Sequence, residues 1–74
     1  MKKEGLIIIN GCGYRYLMKV YDEPSRYGID GGRISKLTIT RYGETVCNYD
    51  REWDREPVDE DTAKALAILL YSEN

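Results

Sequence analysis

Through the first fifty residues, short runs rich in β-branched and aromatic side chains alternate with turn-forming clusters, and after Pro57 the pattern becomes helical. Residues 6–10 (Leu-Ile-Ile-Ile-Asn) are closed by Gly11-Cys12-Gly13, and a longer strand-like stretch follows over residues 14–21, which together predict a first hairpin. In the second of these strands Tyr14, Tyr16, Met18 and Val20 share the face expected to meet the core. Arg15, Leu17, Lys19 and Tyr21 take the other. Asp22-Glu23-Pro24-Ser25 ends the strand, and Arg26 to Gly32 is a glycine-dense loop whose backbone must adopt unusual angles. Residues 33–40 predict a third strand with Ser35, Leu37 and Ile39 together, Tyr42-Gly43 a turn, and residues 44–49 a fourth strand. Alternation alone leaves open whether Leu37 and Ile39 face Val46 or Cys47.

Asp59 reads as a helix N-cap, with Glu60 and Asp61 in the first turn and strong helix formers after them. Ala63, Ala65, Leu66, Leu69 and Leu70 fall on one stripe expected to pack on the sheet. Ala67, Ile68 and Tyr71 lie nearer Lys64, so the outer face is more apolar than a monomer requires; a second copy covers it, loops cover it, or Ile68 and Tyr71 are scattered surface residues. The expected architecture is a single α+β domain over residues 1–74. It is a four-stranded antiparallel sheet followed by one C-terminal helix packed on it, in ββββα order.

Composition narrows the function classes. The chain has 74 residues, 11 Lys plus Arg and 13 Asp plus Glu, a balance of −2 that argues against generic nucleic-acid binding. So small a domain tends to rely on a disulfide, a metal, self-association or very regular packing. Histidine is absent, which removes the commonest general base and metal ligand. Cys12 and Cys47 lack the spacing of a zinc or redox pair, and no apolar run is long enough for a secretory signal or a membrane span, so two reduced thiols in a cytoplasmic protein are expected. Self-association is the best candidate among these. The aromatic residues are seven Tyr and one Trp with no Phe, a choice suited to half-wet contact surfaces.

Two segments carry candidate binding chemistry. Residues 49–56 alternate so that, if extended, Tyr49, Arg51, Trp53 and Arg55 face one way and four carboxylates the other. An indole between guanidinium groups can stack on a base and hold phosphate, while Asp54 can accept bonds from a base or ribose. The plainer alternative has the indole closing the core between sheet and helix. The same carboxylates do not make a calcium loop, because Arg55 stands where glycine is required and Asp61 where the bidentate Glu belongs. No metal or cofactor is expected. The loop from Tyr27 to Arg33 can present backbone N–H groups to an anion, with Arg33 and Lys36 adding charge, or it is simply a tight connection. The serines have no histidine to activate them, so the chain is not expected to be an enzyme.

The segments Tyr-Gly-Ile-Asp-Gly-Gly-Arg-Ile-Ser-Lys-Leu (27–37) and Tyr-Asp-Arg-Glu-Trp-Asp (49–54), with Tyr-Asp-Glu-Pro-Ser (21–25) and the terminal helix, resemble a family of small uncharacterised proteins. That family is found in Firmicutes, especially clostridial species and their phages and mobile elements. Its pattern has glycine where this chain has Glu52. The resemblance implies a stoichiometric anti-defence role with no named reaction. The residues and the resemblance together lead to an expected function: a self-associating, non-enzymatic protein that sequesters a nucleotide-derived signal through Tyr27, Arg33, Lys36, Arg51, Trp53 and Asp54. The alternative is an inhibitor of a host defence protein that acts through the acidic C-terminal half and a tyrosine-rich surface.

Overall fold

In the computed structural model, which describes residues 1–74, Asn10 and Gly11 take φ values of 51° and 76°. These are the left-handed angles of a two-residue hairpin turn, whose twist matches that of the strands it joins. They connect β1 (Lys2–Ile9) to β2 (Cys12–Val20) with an unbroken register from Lys2 opposite Lys19 to Ile9 opposite Cys12. The first strand therefore starts four residues earlier than its apolar run, and the turn is Asn10-Gly11 rather than Gly11-Cys12-Gly13. Tyr42 and Gly43, at φ 52° and 79°, make the same kind of turn between β3 (Ile34–Arg41) and β4 (Glu44–Asp50).

The sheet has five strands, not the expected four. Arg51 sits at φ 65° and the Asp50 N–H donates to the Glu52 carbonyl at 3.0 Å, so the chain reverses and returns as β5 (Trp53–Arg55). Tyr49 lies opposite Trp53 and Asn48 opposite Arg55, with Asp54 bulged between. Residues 49–56 thus form a hairpin instead of one extended stripe. All neighbours are antiparallel, in the order β1-β2-β3-β4-β5.

One face of the sheet forms the core. Tyr14, Met18 and Val20 of β2, buried as the alternation predicts, meet the buried Leu37 and Ile39 of β3 and Cys47 and Tyr49 of β4. Ile39 pairs with Cys47, and a bulge after it leaves Val46 buried as well, which resolves the open register by burying both candidates. α1 (Glu60–Glu73) covers this face with Ala65 and Leu69. Thr62 is fully buried where the stripe predicted Ala63, which is exposed. Its hydroxyl donates to Asp59 Oδ2 at 2.8 Å, so burial leaves no polar atom unpaired. Asp59 caps the helix, its Oδ1 accepting the Thr62 N–H at 2.8 Å.

The glycine-dense loop closes the rest of the core by burying Ile29. A Cβ on Gly28 would lie 1.9 Å from the Gly32 carbonyl oxygen, so only glycine permits that crossing. Asn74 ties the loop to the helix end: its Oδ1 accepts the Ile34 N–H at 3.0 Å and its Nδ2 donates to the Ile29 carbonyl at 2.8 Å. Arg33 donates twice to the Glu73 carbonyl, at 3.1 and 2.9 Å, placing a cation at the negative end of the helix dipole. No helix is long and apolar enough to cross a membrane. The opposite face of the sheet carries no helix and stays open.

Candidate functional site

The open face presents an arrangement that folding alone does not favour. Lys2 on β1 lies directly opposite Lys19 on β2, which lies opposite Lys36 on β3. Like charges opposed across neighbouring strands destabilise a sheet. The row ends at Asp50 on β4, whose carboxylate is 3.8 Å from the Lys36 ammonium. Both of these side chains are more than half exposed, so their attraction is weak and screened by salt.

Beside this row lies a depression of about 400 Å³ whose walls include Lys2, Lys19, Lys36, Leu17, Thr38 and Asn48. A second, of about 480 Å³, adjoins it along the sheet; the two share Leu17 and Thr38, and the far one adds Arg15, Thr40 and Glu4. The polar groups between them are fixed. Thr38 Oγ1 donates to Asn48 Oδ1 at 2.8 Å, and Asn48 Nδ2 donates to Asp54 Oδ2 at 3.0 Å. At the lysine end the Lys19 ammonium stands 5.5 Å from the centre of the Tyr21 ring. The polar contact and charge of Lys19, aided by Ser35 and the charge of Arg51, hold the Tyr21 phenol below its ordinary value. Three ammonium groups therefore line this corner, with the Asp50 carboxylate at its end.

The six residues singled out from the sequence fall into three places. Lys36 belongs to the lysine row, Asp54 is bonded to Asn48 in the depression wall, and Arg51 stands at the β4–β5 turn with its N–H on the Ser35 carbonyl at 3.1 Å. Tyr27 and Trp53 instead converge on Tyr49. The Tyr49 hydroxyl donates to the Tyr27 carbonyl at 2.9 Å, and its ring meets the half-buried Trp53 edge-on, with centroids 5.0 Å apart. The Tyr27 hydroxyl accepts from Arg26 at 2.9 Å. Arg33 is bound to the helix end, away from both groups.

Three of the glycine N–H groups of the loop are used internally. Gly28 N–H bonds the Ser25 carbonyl, Gly31 the Gly28 carbonyl and Gly32 the Ile29 carbonyl, at 3.0, 3.0 and 2.9 Å. These bonds favour the tight connection over an anion nest. No group of Cys, Asp and Glu side chains converges to hold a metal ion.

Lys2 and Lys19 were not singled out from the sequence. Their signal is the Asn-Gly turn: a two-residue turn at Asn10-Gly11 pairs Ile9 with Cys12, and counting outward sets Lys2 against Lys19. Much of the acidic segment is also committed within the fold. Asp59 caps the helix and approaches Arg41 at 3.5 Å, and Asp61 accepts from Asn10 Nδ2 at 3.1 Å.

A family model described as Domain of unknown function (DUF7678) matches residues 1–74, and the chain belongs to that family. The match agrees with the resemblance at the level of a small uncharacterised family spanning the whole chain. No curated protein and no solved structure matches it.

Proposed function

We propose that this DUF7678 protein is a non-catalytic binding domain that captures a small phosphate-bearing ligand on the open face of its sheet. The observation that carries the reading is the opposed row Lys2, Lys19 and Lys36 along one depression. Three ammonium groups with mobile stems can surround a phosphate as point charges, and a bound anion relieves the repulsion that the row imposes on the free protein. Leu17 offers apolar surface beside them, and Thr38 and Asn48 offer hydrogen-bonding groups, which suits a base or sugar attached to the phosphate. Arg15 at the far end offers a second cationic contact.

The ligand class is a nucleotide-derived signal, and the role is its sequestration in the host cytoplasm on behalf of a phage or mobile element. That role draws on the resemblance. Purified protein is to be tested by thermal shift against pyrophosphate, mononucleotides, cyclic dinucleotides and cyclic ADP-ribose isomers. A ligand present at a hundredfold excess over its Kd adds about 2.7 kcal/mol of stability. Lys19→Glu is expected to abolish the shift and Lys64→Glu on the helix to leave it intact. Equal losses in the two variants, or no shift across the panel, would overturn the proposal.

The alternative, inhibition of a host defence protein, is favoured by one observation: Tyr42 and Tyr71 are 86% and 95% exposed, as interface anchors would be. Charge reversal at the exposed Glu52 and Glu56 separates the two readings. It removes inhibition under the alternative and leaves small-anion binding unchanged under the first.

A further inference from the structure

The outer edge of β1 is the longest stretch of unpartnered sheet backbone in the molecule. The strand order leaves β1 and β5 at the edges; β5 has three residues and a bulge, whereas β1 has eight residues in unbroken register. Met1 and Val20 exchange both backbone bonds, each at 2.8 Å. Bonding therefore alternates along β1, so Lys3, Gly5, Ile7 and Ile9 turn their N–H and C=O groups inward. Lys2, Glu4, Leu6 and Ile8 turn theirs outward.

Natural edges are blunted by charge, proline or bulges. Here charge guards only the first half, at Lys2, Lys3 and Glu4. The second half, Leu6 to Ile9, has none of these devices, and Leu6 and Ile8 are 50% and 61% exposed. Both lean over Gly13 of β2, their Cδ1 atoms 3.1 and 3.7 Å from where a Cβ would stand.

We infer that β1 pairs antiparallel with β1 of a second copy about a two-fold axis at Ile7, forming a continuous ten-stranded sheet. This axis sets Leu6 opposite Ile8 of the other copy and the reverse, so the outward backbone groups exchange bonds while apolar side chains meet apolar side chains. An axis at Gly5 would oppose Glu4 to Leu6 and Lys2 to Ile8, and an axis at Glu4 would oppose two carboxylates. The Ile7 axis also sets Glu4 opposite the uncharged Asn10 of the other copy, so no like charges are directly opposed along the seam. The strand edge is thus complementary to itself in bonding and in apolarity.

The decisive measurement is the solution mass by light scattering across a dilution series, with folding checked by circular dichroism. The expected mass is twice 8.6 kDa. Leu6→Lys with Ile8→Lys, both at exposed positions, is expected to give folded monomer, whereas Ile68→Lys on the outer helix face leaves the dimer. Lys36→Glu also leaves it, which separates this inference from anion binding. In a Cys12→Ser background, Ile7→Cys is expected to form an intermolecular disulfide on oxidation and Lys3→Cys is not. A monomer at every concentration, a dimer that survives the paired lysine substitution, or no cross-link at position 7 would overturn it.

Discussion

Replacing Lys19 with Gln tests whether the lysine row is held at a cost to stability. Lys19 is the central member, with Lys2 on one side and Lys36 on the other. Strands about 4.8 Å apart, with side chains free to splay, leave neighbouring ammonium groups roughly 7 Å apart. At that separation in water each pair repels by about 0.6 kcal/mol, so the two pairs cost about 1.2 kcal/mol at low ionic strength. A Debye length of about 8 Å at physiological salt reduces the sum to roughly 0.5 kcal/mol. Relative to the parent, the variant is therefore expected to be more stable by about 0.7 kcal/mol more at low salt than at physiological salt. The loss of the short-range contact with Tyr21 enters at both salts and largely cancels in that difference. Urea unfolding at the two ionic strengths, with unchanged slope, is the assay. The same protein should bind no phosphate-bearing ligand, so stability and binding move in opposite directions. An advantage that does not shrink with added salt would refute the repulsion, and with it the main support for the site.

Three further outcomes are expected. Asn74→Ala strands the backbone N–H of buried Ile34 and takes one of the two hydrogen bonds from the Ile29 carbonyl, which still accepts the Gly32 N–H; the cost is about 1–2 kcal/mol, a Tm drop of roughly 5–10 °C by calorimetry, whereas Asn74→Asp keeps the acceptor and loses about half as much. Burial pushes the Cys47 thiol up to about 11, so a thiol reagent at neutral pH should label half-exposed Cys12 quickly and Cys47 only when the chain unfolds. Asp59 is held below the usual carboxylate range by the Thr62 N–H, then by the Thr62 hydroxyl, with Arg41 adding to both. Its stabilising effect is therefore complete above about pH 4 and is lost as pH falls through the lowered folded value, and Asp59→Ala should remove that part of the acid slope in a pH series of urea melts.

How much of this was legible depended on which interaction decided each element. The core face of β2 and the helix start at Asp59 follow from local causes, alternation and capping, and both appear in the sequence. The start of β1 does not, because Lys2, Lys3 and Glu4 have little strand preference and are extended by pairing with Lys19, Met18 and Leu17. β5 was missed for a related reason: a three-residue strand has no period to read, and a non-glycine residue, Arg51, takes the left-handed turn angle. The misread hairpin turn then hid the candidate site. Lys36 was visible as a cation beside a loop, but the row exists only once the Asn10-Gly11 turn pairs Lys2 with Lys19 and the β2–β3 register pairs Lys19 with Lys36. Arg33 and Trp53 illustrate the converse. Their residue types suggest ligand chemistry, yet Arg33 is bound to the Glu73 carbonyl and Trp53 rests on Tyr49. A binding surface on an open sheet is written in cross-strand register, so one turn assigned correctly carries more information about it than any contiguous motif in the chain.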